Sequence, residues 1–255
     1  YEAQLKAHVV DFLRDNYGVD TSDEALLKTI ESHNELCRIM QAIGDFRKLD
    51  VPTITGYEYH VLTLATLACP KYLIIDKLRE TLEELKTRQP DAKPQYRCKV
   101  LLAGSENDDP DFTKLIESCG ALVVADRYCY GGMESRQPIE IMEGETPLRA
   151  IARHYLLTSQ CTRFMEQHEM RRRKQHIADL AREYKADGII VASNKFCEYW
   201  SYERVIDTVV LRDFGYPVCS IEKEYINSAS GQLRTRFQAF IESVEIKKIQ
   251  EGAKK

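Results

Sequence analysis

Val100-Leu101-Leu102-Ala103-Gly104 is the stretch that decides the fold. An unbroken apolar run this short, closed by a glycine, reads as a strand buried on both faces. Three runs of the same kind follow: Ala121–Ala125, Gly188–Ala192 and Pro217–Ile221. Helical patterns lie between and after them, over Asp111–Ser118, 147–157, 162–185, Tyr202–Phe214 and Gln232–Glu245. Doubly buried strands alternating with helices predict βαβ units. The class is therefore α/β, with a parallel sheet of the Rossmann/flavodoxin-like type in the C-terminal lobe.

Upstream, the period changes. Leu5, Val9, Phe12 and Leu13 recur at helical spacing until Tyr17-Gly18, and Ser22 before Asp23-Glu24 caps a second helix. Pro52 and Gly56 precede a third helix over Glu58–Leu67, and Pro70 a fourth bearing Leu73, Leu78, Leu82 and Leu85. The polar, proline-bearing stretch Gln89–Pro94 divides a helical segment, 1–94, from the α/β lobe, 95–255.

The chain has 255 residues, with 36 Lys+Arg against 40 Asp+Glu and a net charge of -4, which lacks the basic excess of a nucleic-acid binder. No apolar run approaches the ~20 residues of a membrane-spanning helix. The start, Tyr1-Glu2-Ala3-Gln4, reads as the middle of a helix, so a preceding N-terminal portion is expected. With no leader pattern the expected location is the cytoplasm, where the eight cysteines stay reduced. No two cysteines are spaced C-x-x-C, and G-x-S-x-G, G-x-G-x-x-G and the Walker lysine loop are absent.

In an open parallel sheet, ligands bind beyond the carboxyl ends of the strands. The segments there hold Ser105, Glu106, Asn107, Asp126, Arg127, Cys129, Gly131, Gly132, Asn194, Lys195, Cys197, Glu198, Trp200, Glu222, Lys223, Glu224 and Asn227. Cys197, two residues after Lys195, is a metal ligand or nucleophile if the cation favours its thiolate, and a packed residue otherwise. Cys129 stands before Gly131-Gly132, which either admit a ligand close to the backbone or make a turn. Cys161, flanked by Ser159 and Thr162, opens a helix whose dipole favours a thiolate, or sits in a capping turn. Cys37, Cys69, Cys98, Cys119 and Cys219 fall in apolar patterns and read as core. Arg171-Arg172-Arg173-Lys174 reads as a mostly solvated helix face. The six histidines form no H-E-x-x-H pair and read as surface or satisfied packing.

Four stretches together resemble the family of 2-hydroxyacyl-CoA dehydratases and ATP-dependent benzoyl-CoA reductases: Leu101–Gly104 with Val123–Cys129; Arg153-His154-Tyr155-Leu156 leading to Cys161; Ala186–Ile190 with Asn194-Lys195-Phe196-Cys197-Glu198; and Gly231–Phe240. The match covers about 95–245. It implies an iron–sulfur cluster, a [4Fe-4S] cluster first of all, with Cys197 as the firmest ligand and Cys129 and Cys161 beside it. It implies Lys195 as a donor near the cluster, Tyr128 and Trp200 lining a substrate site, and Arg234 and Arg236 serving CoA phosphate or subunit contacts. Packing and helix-start surface charge are the plain alternatives for these four. The implied partners are a homologous second catalytic subunit, an ATP-hydrolysing activator with its own cluster, ferredoxin as electron source and an acyl-CoA substrate. Glu222–Asn227 followed by Gly231–Arg236 looks most like a benzoyl-CoA reductase subunit, which dearomatises an aromatic acyl-CoA. The alternatives are a 2-hydroxyacyl-CoA dehydratase subunit, which eliminates water through a ketyl radical, and a non-catalytic or double-cubane electron-transfer protein.

Overall fold

The computed structural model describes residues 1–90, 96–129, 131, 137–158, 161–163, 166–225 and 230–252. Gly132 and Asn227, named above at the ligand edge, Ser159 beside Cys161, and most of the expected 89–94 boundary lie outside the described residues. Among the described residues no helix is long and apolar enough to cross a membrane.

The four runs form one all-parallel sheet of β1 (Cys98–Gly104), β2 (Ala121–Arg127), β3 (Gly188–Asn194) and β4 (Val218–Lys223), in the order β2-β1-β3-β4. Successive side chains go to opposite faces, so one apolar run feeds two cores. Val100, Leu102, Val123 and Ile190 pack with Phe112 and Ile116 of α6 (Pro110–Ser118) and with Phe237, Ile241 and Val244 of α10 (Ser230–Gly252). Leu101, Ala103, Ile189 and Val191 pack on the other face with Ile177, Ala178 and Ala181 of α8 (Gln167–Glu183) and Leu211 of α9 (Glu198–Asp213). That double burial explains why the strands show no polar alternation.

The order reverses between β1 and β3, the place where an open sheet leaves a crevice. Gly104 ends β1 there with φ +144, and a Cβ on it would lie 1.8 Å from Ala192 O of β3. Only glycine permits that approach. The outer strand β4 presents carbonyls that arginines cover: Arg236 Nη2 donates to Ser220 O at 2.6 Å and Arg212 Nη2 to Val218 O at 3.3 Å. Occupied edge carbonyls cannot template another strand.

The helical segment contains α1 (Glu2–Leu5), a π turn (Lys6–Val10), α2 (Asp11–Tyr17), α3 (Asp23–Asp45), α4 (Gly56–Ala68) and α5 (Lys71–Thr87). Ser22 caps α3 through Ala25 N, as its position foretells. Helix α4 starts earlier than expected, because Thr55 and Glu58 form a reciprocal capping box. The first turn of α4 is fastened to the lobe by Glu117 of α6, whose carboxylate accepts from Gly56 N at 2.8 Å and Tyr57 N at 3.2 Å. Helix α7 (Pro147–Thr158) packs Ala150 against Ile30 of α3.

Three further boundaries differ from the sequence reading. Helix α8 begins at Gln167 instead of 162, so Cys161 stands several residues before the helix rather than opening it. β2 runs on through Asp126 and Arg127, which places them in the strand rather than in the loop. Helix α9 begins at Glu198 instead of Tyr202, so Cys197 is its N-cap residue and Trp200 lies in its first turn.

Candidate functional site

A cavity of about 470 Å³ lies between α3, α4 and the carboxyl end of β2. Its inner wall is formed by Leu36, Cys37 and Met40 of α3, Tyr59 of α4, Arg47, and Ala125 and Asp126 of β2, all buried. More exposed residues, among them Gln41, Leu67, Gln137, Tyr155 and Cys129, make up the rest of the described lining. The polar centre of the inner wall is an ion pair, Arg47 Nη1 to Asp126 Oδ2 at 3.1 Å, with both side chains 4% exposed. The Arg47 guanidinium carbon sits 3.6 Å from the Tyr59 ring centroid. Burial opposes its charge, yet Asp126 and the tyrosine rings overcome it and hold the Arg47 pKa above its ordinary value. Gly131 makes room for the carboxylate, since a Cβ there would come 2.2 Å from Asp126 Oδ1.

Cys129 follows β2 by two residues and lines this cavity. Loss of solvation raises its thiol pKa. The Trp200 indole opposes the shift by donating to the sulfur, Cys161 and Glu106 add to it, and Arg127 counters it. The fold thus brings Cys129 and Cys161 within electrostatic reach, although they are far apart in sequence. Cys197 is held at the head of α9 by its backbone, its N–H donating to Asn194 O at 3.2 Å and its carbonyl accepting from Ser201 N at 2.9 Å. Trp200, one helical turn on, joins that helix end to Cys129. Among the described residues no three His, Cys, Asp or Glu side chains converge as a metal cage.

The remaining sequence candidates lie elsewhere. Lys195 Nζ pairs with Glu224 Oε1 at 2.9 Å, a contact that raises its pKa and keeps it charged. Tyr128 is buried, its ring 5.3 Å from that of His60, and Trp200 is buried with the Arg173 guanidinium 5.4 Å from its ring. Neither aromatic lines the cavity. Arg234 Nη1 donates to Ser118 Oγ at 3.2 Å, flanking α10 on one side as Arg236 does on the other.

Two readings of the polar residues need correction. Arg173 and Lys174 are not solvated: they are 0% and 4% exposed, and only Arg171 and Arg172 face water. Arg173 pairs with Glu203, and Lys174 reaches Glu203 at 3.1 Å and Asp207 at 3.4 Å across the α8–α9 contact. Cys69 is exposed where the helix ends, while Cys37, Cys98, Cys119 and Cys219 are buried. Cys37 also gains a partner, His33 Nε2 at 3.3 Å, and both line the cavity. Sequence reasoning missed Arg47, Tyr59, Tyr184, His33 and Cys37 as cavity residues. The 33/37 spacing, one turn apart on α3, was the one local signal available.

His60 is fixed by chemistry. A carbonyl can only accept, so its Nε2–H donates to Asn107 O at 2.9 Å, leaving Nδ1 to accept from Thr113 Oγ1 at 2.9 Å. Burial lowers its pKa, and the neutral ring holds the loop beyond β1.

A family model described as "2-hydroxyglutaryl-CoA dehydratase, D-component" matches residues 1–244. The (R)-phenyllactyl-CoA dehydratase beta subunit of Clostridium sporogenes is 27% identical over 228 residues, 89% of this chain and 59% of that protein. The putative dehydratase subunit YjiM of Escherichia coli strain K12 is 25% identical over 242 residues, 90% of this chain and 60% of that protein. The chain thus spans about three fifths of the length of these relatives. Both names are those of dehydratase subunits, which turns the reading from the reductase branch to the dehydratase branch. The chain belongs to the 2-hydroxyglutaryl-CoA dehydratase D-component family.

Proposed function

We propose that the chain forms part of a subunit of a 2-hydroxyacyl-CoA dehydratase, a lyase that removes water from a 2-hydroxyacyl thioester to give the 2-enoyl thioester. The family match over residues 1–244 carries this reading, and the dehydratase subunits among its relatives support it over aromatic-ring reduction. Cys129, Cys161 and Cys197 are the residues proposed to hold an iron–sulfur cluster. Soft thiolate donors suit iron, Cys161 lies close enough to act electrostatically on Cys129, and Trp200 supplies a donor to the Cys129 sulfur. Bound there, a cluster supplies one-electron chemistry at low potential. The chain's own contribution is to bury that edge, keep water from the cavity floor and orient the thioester at its Cys129 end. In the same proposal Lys195 is a charged donor at the β3 edge, and Arg234 and Arg236 meet CoA phosphate or a neighbouring subunit. A homologous second subunit, an ATP-hydrolysing activator and ferredoxin complete the system in the cytoplasm.

The test is anaerobic. Iron content and electron paramagnetic resonance are measured on the full-length protein and on Cys129→Ala, Cys161→Ala and Cys197→Ala, with turnover of 2-hydroxyacyl-CoAs followed in the reconstituted complex. Loss of iron in the variants and release of 2-enoyl-CoA are expected. Full iron retention in all three variants rejects the ligand assignment, and turnover of benzoyl-CoA alone rejects the dehydratase reading.

A further inference from the structure

We propose that the cavity between α3, α4 and β2 is an acyl pocket built for an aromatic ring that carries a neutral hydrogen-bonding substituent, such as a hydroxyl, at its far end. The inference rests on the acyl-CoA reading above and extends it from reaction type to the kind of acyl group.

Its volume, about 470 Å³, falls in the ~300–1,000 Å³ range of small-molecule sites. Tyr59, Tyr155 and Tyr184 contribute rings to the lining, and Leu36, Met40 and Leu180 contribute apolar surface. Ring edges and faces of this kind pack an aromatic guest better than a flexible aliphatic chain. The buried inner wall differs in character. Arg47 lines it and is 3% exposed, and its Nε is buried with no hydrogen-bond partner. An unpartnered buried donor costs stability unless a guest accepts from it.

The charge balance decides what that guest atom is. Asp126 already neutralises the guanidinium at 3.1 Å, so a carboxylate on the guest would add a second negative charge to a buried site where the Arg47 charge is already balanced. A hydroxyl fits both groups: its oxygen accepts from Arg47 Nε–H and its proton is available to a carboxylate oxygen. Cys129 and Lys71 also line the cavity and lie closer to solvent than the floor. That places the thioester at the Cys129 side and sends the CoA arm outward past the Lys71 ammonium. A pocket with a dedicated buried partner discriminates against analogues lacking the matching group.

Isothermal titration of the full chain with unreactive saturated analogues tests this: 3-(4-hydroxyphenyl)propanoyl-CoA, 3-phenylpropanoyl-CoA and butanoyl-CoA. The hydroxyphenyl ester is expected to bind at least about tenfold tighter than the butanoyl ester, with the phenyl ester between them. Met40→Trp, which places bulk in the cavity, should erase that ranking while leaving a common residual affinity for the CoA arm. Equal affinity of the three esters, absence of binding, or a ranking unchanged in Met40→Trp overturns the pocket. Those outcomes leave the dehydratase reading standing if iron and turnover behave as above. A preserved ranking in a protein that never holds iron rejects the cluster proposal and keeps the pocket.

Discussion

Replacing Arg47 with methionine should be among the most damaging single changes at the cavity. The substitution keeps an apolar stem of similar reach and removes only the guanidinium. Three quantities set the magnitude. The ion pair with Asp126 spans 3.1 Å between side chains 4% exposed, so water screens it little. Unit charges at ~4 Å attract by about 4 kcal/mol at an effective dielectric of 20, most of it offset by desolvation when the pair is intact. Once one partner goes, the other keeps its desolvation cost, and such losses run to about 3–5 kcal/mol. The stacking of the guanidinium 3.6 Å above Tyr59 adds a desolvated cation–π contact worth up to about 2 kcal/mol. Arg47→Met is therefore expected to cost about 3–5 kcal/mol, a fall of roughly 10 °C in midpoint for a chain this long. Asp126→Asn should cost a similar amount, and the double variant less than the sum by about 1–3 kcal/mol. Urea unfolding followed by circular dichroism and by the fluorescence of Trp200, the chain's one tryptophan, gives all four corners of the cycle. Additivity within ~0.5 kcal/mol would refute the claim that the two residues act as a buried pair.

Other substitutions and titrations probe the framework. Gly104→Ala meets Ala192 O at 1.8 Å from a backbone at φ +144, so it should destabilise by more than ~2 kcal/mol, and a loss below ~0.5 in urea unfolding contradicts the close approach. His60 has a folded pKa below its ordinary 6.5. The unfolded chain then takes up the proton first, and stability should fall as pH drops through 6.5 toward the folded value. His60→Gln should flatten that part of the urea-midpoint profile, and an identical slope in both proteins argues against the buried neutral ring. Burial pushes the Cys98 thiol up to about 12 and the Cys219 thiol up to about 11, whereas Cys69 is exposed. A disulfide reagent at pH 8 should label Cys69 in the native protein and reach Cys98 and Cys219 only on unfolding; peptide mapping reads the order.

The sheet was legible because its evidence is local. Four short apolar runs bounded by Gly, Pro and polar residues can be buried only on both faces, and helical repeats between them force parallel crossovers. Much of the capping was equally local, as Ser22 illustrates. The cavity was not. Arg47 and Asp126 are 79 residues apart, and nothing near either marks it as half of a pair. The strand-end rule placed Asp126, Cys129 and Cys197 at the ligand edge, but it carries no information about a helical segment closing over that edge. Cys129 and Cys161 are separated by a loop and a whole helix, so their proximity is likewise a tertiary result.

The basic run on α8 shows where composition misleads in a second way. Four consecutive cations on one helix span its circumference, and at least one of them has to face the sheet side if the helix packs at all. Arg171 and Arg172 take the water, and Arg173 and Lys174 are turned inward. What makes this tolerable lies on a different helix: Glu203 and Asp207, one turn apart on α9, meet the two cations across the contact. Burial still pushes the Asp207 carboxyl up to about 6 against the pull of Arg173 and Lys174. A four-charge cluster with so little water is weak evidence for stability but strong evidence for register, because sliding α9 by one turn would strand every member of it. Register matters on this helix. Its first turn carries Trp200, whose ring Arg173 overlies and whose indole reaches Cys129, and its N-cap is Cys197. The buried charges thus set where the two cysteines stand relative to one another, a coupling that no window of the sequence around either cysteine contains.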